Sequence, residues 1–150
     1  MPWRTEARAV FVYWLGRVHG VDNVRNSRIL VVENVQETRD AILELLKHDG
    51  FRVDPARDEE EATDKAQRYH PDLILVSLGG PPEEVLATAQ RIRIGGGVTQ
   101  RTPIVIFSLT IVPDGTVEEL AGNVHVIVPD NFDQLRMLLR HLLTGASRIQ

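Results

Sequence analysis

Four short apolar runs constrain this chain more than anything else in it: Ile29-Leu30-Val31-Val32, Leu73-Ile74-Leu75-Val76, Ile104-Val105-Ile106-Phe107 and Val124-His125-Val126-Ile127-Val128. A strand with one wet face alternates apolar and polar residues. A run that is apolar almost throughout is covered on both faces, which is the habit of a parallel sheet held between two layers of helices.

The segments between the runs carry helical spacing. Val35, Ile42, Leu45 and Leu46 share a face, with Asn34 as the expected N-cap, Glu37 as its reciprocal partner and Gly50 as the stop. Phe51 to Ala56 reads as a weaker strand. Its Pro55 has no N–H to give to a ladder, so this strand belongs at a sheet edge. Asp58 with Glu61 opens a second helix carrying Ala62, Ala66 and Tyr69, and Pro82 suits the first position of a third that carries Val85, Ala89 and Ile92. A poorly periodic stretch around Val117, Leu120 and Ala121 reads as a short fourth helix, and Leu135, Leu138, Leu139 and Leu142 mark the last. Five strands alternating with five helices give an α/β fold, a doubly wound five-stranded parallel sheet. Ligands of such sheets bind beyond the carboxyl ends of the strands. Those ends hold Glu33 and Asn34, Ser77, Ser108, and Val128 with Pro129.

Composition narrows the class. A chain of 150 residues is one domain by default, and 43% apolar with 25% charged residues is a globular balance. No cysteine means no disulfide, no zinc–thiolate site and no cysteine nucleophile. A net charge of −4 argues against a nucleic-acid binder. That charge is unevenly spread. Residues 1–27 set Arg4, Arg8, Arg17 and Arg25 against only Glu6 and Asp22, and hold Trp3, Phe11, Tyr13 and Trp14, half of the aromatic side chains. The apolar run Ala9 to Leu15 is far short of the roughly 20 residues of a membrane span, and no signal-peptide pattern follows it. Residues 1–27 are therefore an N-terminal extension: a helix or strand added to the domain, a mis-assigned start, or a docking segment. The expected setting is the cytoplasm.

The segments Arg28-Ile-Leu-Val-Val-Glu-Asn34, Pro71-Asp-Leu-Ile-Leu-Val-Ser-Leu-Gly-Gly-Pro81, Thr102-Pro-Ile-Val-Ile-Phe-Ser108 and Val126-Ile-Val-Pro129 together resemble the response-regulator receiver domain, the CheY-like family. The likeness covers about residues 28–145, leaving 146–150 as a tail, and implies the flavodoxin-like strand order 2-1-3-4-5. It also implies a chemistry whose parts are missing. Receivers of this family take a phosphoryl group from a histidine kinase onto an aspartate ending strand three, where this chain has Ser77. The acidic pair that helps to hold Mg²⁺ is here Glu33-Asn34, and the lysine ending strand five is Val128. Ser108 keeps the hydroxyl ending strand four, while His125 replaces the switch aromatic and Leu109 the small residue after Ser108.

The residues support the same expectation without the family. Mg²⁺ prefers hard oxygen donors, usually one or two carboxylates, and Glu33 is the one carboxylate at these strand ends. Ser77 has no evident base beside it in the sequence and cannot form an acyl phosphate. His19, His48, His70, His125 and His141 show no metal-ligand spacing. No metal, cofactor or catalytic residue is expected.

The expected function is that of a degenerate receiver in two-component-type phosphorelay signalling. Such a pseudo-receiver is no enzyme and acts through protein–protein interaction. Its partner would be a sensor kinase, an effector or a second copy of the chain, met on a face around Leu120, His125 and Leu135, where the family commonly docks. The alternative is a flavodoxin-like module that binds a small molecule or nucleotide in the crevice at the strand ends. After the last helix only Thr144 to Gln150 remain, so output is expected through contact.

Overall fold

A computed structural model describes residues 24–107, 116–120, 122–128 and 132–148. Among the described residues six strands and four helices follow one another: β1 (Arg28–Val32), α1 (Gln36–His48), β2 (Arg52–Ala56), α2 (Glu59–Tyr69), β3 (Leu73–Val76), α3 (Pro82–Gly95), β4 (Ile104–Phe107), β5 (Thr116–Leu120), β6 (Val124–Val128) and α4 (Phe132–Arg148). They build one sheet in the order β2-β1-β3-β4-β6-β5. Every neighbouring pair is parallel except β5 with β6, which is antiparallel. The flavodoxin-like order of the five parallel strands is as expected, with one strand added at the far edge.

The apolar runs explain the layering. Alternate residues of β1 and β3 serve opposite faces. Leu30, Val32, Ile74 and Val76 pack with Ala62 and Ala66 of α2 and with Val85, Ala89 and Ile92 of α3. Ile29, Val31, Leu73 and Leu75 pack with Ile42 and Leu46 of α1 and with Leu135, Leu138, Leu139 and Leu143 of α4. Each fully buried aliphatic side chain contributes about 1.5–3 kcal/mol relative to exposure.

Caps and edges follow local chemistry. Asp58 accepts the Glu61 N–H at 2.8 Å to start α2, and Pro82 stands in the first turn of α3. The first helix departs from expectation. Val35 occupies the N-cap position without a side-chain cap bond, and Asn34 is exposed. Strand β2 lies at one edge, as Pro55 requires. The Arg52 N–H donates to Ser27 O at 2.9 Å and Ala56 O accepts the Glu33 N–H at 2.9 Å, so residues 52 and 56 face β1 and Pro55 faces outward. The outward Pro55 carbonyl accepts from the Lys65 ammonium. At Pro55 that edge lacks a donor and has its acceptor occupied.

The stretch expected to form a fourth helix is strand β5. Thr116 and Val117 are β-branched, and the turn behind them holds Gly122 and Asn123 at φ of 79° and 62°. A glycine–asparagine pair that tolerates positive φ favours a hairpin over a helix. Arg93 of α3 fixes this hairpin from below. Although only 6% exposed, its guanidinium donates to the carbonyls of Thr99, Thr102, Gly122 and Asn123, the Gly122 bond measuring 2.8 Å. Burial pushes the Arg93 pKa down from its ordinary value.

The boundaries also shift. Val24, assigned above to the extension, is 2% exposed and packs on the α1–α4 side, and α4 continues to Arg148. Residues 1–23, Ser108, Leu109 and Pro129 lie outside the described residues, and of Val128 only the backbone is described. Among the described residues no helix is long and apolar enough to cross a membrane.

Candidate functional site

The parallel strands converge at their carboxyl ends, where β1 delivers Glu33 and β3 delivers Ser77. The Ser77 N–H donates to Val32 O at 2.8 Å, so the β1–β3 ladder continues one residue past each strand and sets the two side chains beside each other. The Ser77 hydroxyl donates to Glu33 Oε1 at 2.8 Å. The second carboxylate oxygen, Oε2, accepts the Val35 N–H at 3.0 Å. Glu33 is 4% exposed, whereas Ser77 is half-buried at the mouth. A buried carboxylate is tolerable only when its lone pairs are occupied, and here each oxygen has a donor.

This arrangement corrects two expectations. Glu33, not Asn34, satisfies the chain entering α1, because the longer side chain folds back onto the Val35 N–H while Asn34 points to solvent. Ser77 is not without a carboxylate neighbour, since Glu33 lies within hydrogen-bond reach. Sequence reasoning also passed over Arg39, whose Nη1 donates to the Glu33 backbone oxygen at 2.8 Å. Its place one helical turn into α1 was the available signal.

The donor set does not fit Mg²⁺. One carboxylate is present, both its oxygens are engaged by protein donors, Asn34 is exposed, and Ser77 adds a neutral hydroxyl. A hard divalent cation of this size wants several free oxygens in octahedral array. Among the described residues no group of three or more acidic or histidine side chains could hold a metal ion. The rim is acidic, with Glu37 in the first turn of α1 and Glu83 and Glu84 in that of α3. These complement the helix dipoles and oppose the approach of a phosphate anion. A separate groove along α2, lined by Glu59, Glu60, Thr63, Asp64 and Gln67, is open and acidic.

The three residues named for a docking face are not gathered on one exposed surface. Leu135 has no exposed surface and belongs to the α1–α4 side of the core. Leu120 packs against the opposite side, with α2 and α3. His125 is 6% exposed, and its Nε2 lies 2.8 Å from Asn123 Oδ1. The three residues are divided between two faces of the sheet, because β5 replaced the helix that would have gathered them. Burial pushes the His125 pKa below the ordinary histidine value, opposed by Glu119 and assisted by His141, itself lowered by burial.

No protein-family profile matches the chain. Over 122 residues it is 31% identical to the two-component response regulator PhoP of Pseudomonas aeruginosa, a match covering 80% of this chain and 53% of PhoP. The chain spans about half the length of the curated relatives it matches. Its fold matches the chemotaxis protein CheY4 of Vibrio cholerae with a TM-score of 0.62 at 22% identity, covering 77% of this chain and 98% of that one. It also matches the complex of histidine kinase ThkA with response regulator TrrA of Thermotoga maritima, with a TM-score of 0.61 at 25% identity over 78% of this chain and 98% of the matched chain. The chain is thus similar in sequence to curated two-component response regulators and shares the flavodoxin-like CheY fold with solved receiver domains.

Proposed function

We propose that this chain is a pseudo-receiver, a module that signals by binding protein without being phosphorylated on an aspartate. The observation that carries the reading is the 2.8 Å bond from the Ser77 hydroxyl to Glu33 Oε1. At the position where β3 would present an acceptor carboxylate, this chain presents a hydroxyl already committed to the neighbouring acid. Val128, which ends β6, supplies no cation to balance phosphoryl charge. Metal ligation, acceptor and counter-charge are thus altered together, and the Glu33 carboxylate at the β1 end is engaged by protein donors.

The expected partner is a sensor kinase or an effector protein, in line with the ThkA–TrrA complex among the structural neighbours. The test incubates the chain with Mg²⁺ and either acetyl phosphate or a phosphorylated histidine kinase, followed by intact-mass analysis. No acid-labile phosphate is expected, and Mg²⁺ with beryllofluoride is expected to leave the melting temperature unchanged. An acyl phosphate on the chain, or marked stabilisation by beryllofluoride, would overturn the reading.

A further inference from the structure

We propose that the outward face of α3 pairs with the same face of a second copy of the chain, the two helices running antiparallel about a two-fold axis. Helix α3 covers the sheet with Val85, Ala89 and Ile92. Its other side carries Glu83, Ala87, Gln90, Ile94 and, just past its end, Gly97, at alternating spacings of four and three. That spacing draws one stripe along a helix and is the seam of a helix pair. Ile94 is 80% exposed, the most open large apolar side chain among the described residues. A single exposed aliphatic side chain is ordinary on a loose surface, but this one stands on a braced support. Arg91 donates to the Glu59 carboxylate of α2 from Nε and from Nη2, the latter at 2.9 Å. Gln67 of α2 donates to Gly95 O at 2.6 Å, and a Cβ on Gly96 would lie 2.7 Å from that of Ala66. The last turns of α3 are thus fixed against α2, so burying Ile94 under a partner costs little further ordering.

Charge selects the occupant. Glu83 and Glu84 are exposed in the first turn of α3, and Arg101 is exposed in the segment that follows its far end. Parallel copies would set glutamates against glutamates. Antiparallel copies set the acidic turn of each toward the basic end of the other, and complementary charge of this kind fixes partner and register. A two-fold pair uses one patch twice, so both end contacts form together. Ala87 and Gly97 flank Ile94 along the stripe, and their small size leaves room for the isoleucine of the other copy. The surface lies on α3 and does not depend on the chemistry at Ser77.

The test is sedimentation velocity of the full chain. With one helix face from each copy the interface is small, so a dimer with a dissociation constant between about 10 µM and 1 mM is expected. Ile94→Asp should weaken it by about tenfold or more while circular dichroism stays that of the parent, as suits an exposed position. Charge supplies the second reading. Glu83→Lys alone and Arg101→Glu alone should each self-associate about fivefold more weakly. An equimolar mixture of those two variants should recover the parental association, because only the mixed pair matches both ends. A monomer throughout that concentration range, a dimer indifferent to Ile94→Asp, or a mixture no stronger than its components would each overturn the proposal.

Discussion

Glu33 and Ser77 stand 44 residues apart in the chain and 2.8 Å apart in the fold. Their positions were legible in the sequence, because each directly follows an apolar run that has to be a strand. Their bond was not. Asn34 is the better N-cap by residue type, and nothing in spacing alone tells that a glutamate one residue earlier will fold back instead. The consequence can be measured. Ser77→Ala leaves one oxygen of a buried carboxylate without its donor and should cost about 1–3 kcal/mol in urea unfolding. Ser77→Asp should cost more, since it sets a second carboxylate against Glu33, and millimolar Mg²⁺ should restore part of the loss in that variant alone. A Ser77→Ala chain as stable as the parent would show that the bond contributes nothing.

Among the elements, the β5–β6 hairpin separates what the pattern disclosed from what it hid. Val117, Leu120 and Ala121 fall at helical spacing, yet three residues are too few to distinguish a helical stripe from chance. The Gly122-Asn123 turn was the stronger signal. Arg93 was hidden for another reason, since a guanidinium that donates to four carbonyls from two loops has no local signature. Removing it with Arg93→Met should destabilise the chain by about 3 kcal/mol, and exchange should accelerate first in the residue 122–124 amides. Arg93→Lys should not rescue, because an ammonium cannot replace the planar fork. Leu135 tests the core assignment. As a core residue it should cost about 2–5 kcal/mol when changed to alanine. A Leu135→Ala chain of parental stability would return that residue to the surface.

For the molecule as a whole, the two-faced sheet was readable because both its sides had to be apolar. The charge state of its interior was not, since it depends on which histidines the fold buries. His125 and His141 are both pushed below the ordinary histidine value by burial. Their contribution to stability is complete above about pH 6.5, where folded and unfolded chains alike hold them neutral. As pH falls through that value the unfolded chain takes up protons that the folded one refuses, and stability is lost until the lowered folded values are passed. The melting temperature should therefore drop between about pH 7.5 and 5.5. The double variant His125→Asn with His141→Gln should flatten this slope, and an unchanged slope would assign it to other groups.

The outward-facing Pro55 has a further bearing on how copies of the chain can associate. Head-to-tail stacking through sheets needs two receptive rims, and one rim here is interrupted by a ring nitrogen and a lysine. Pairing of copies through the β2 rim is therefore interrupted at Pro55, which works against open-ended stacking of sheets.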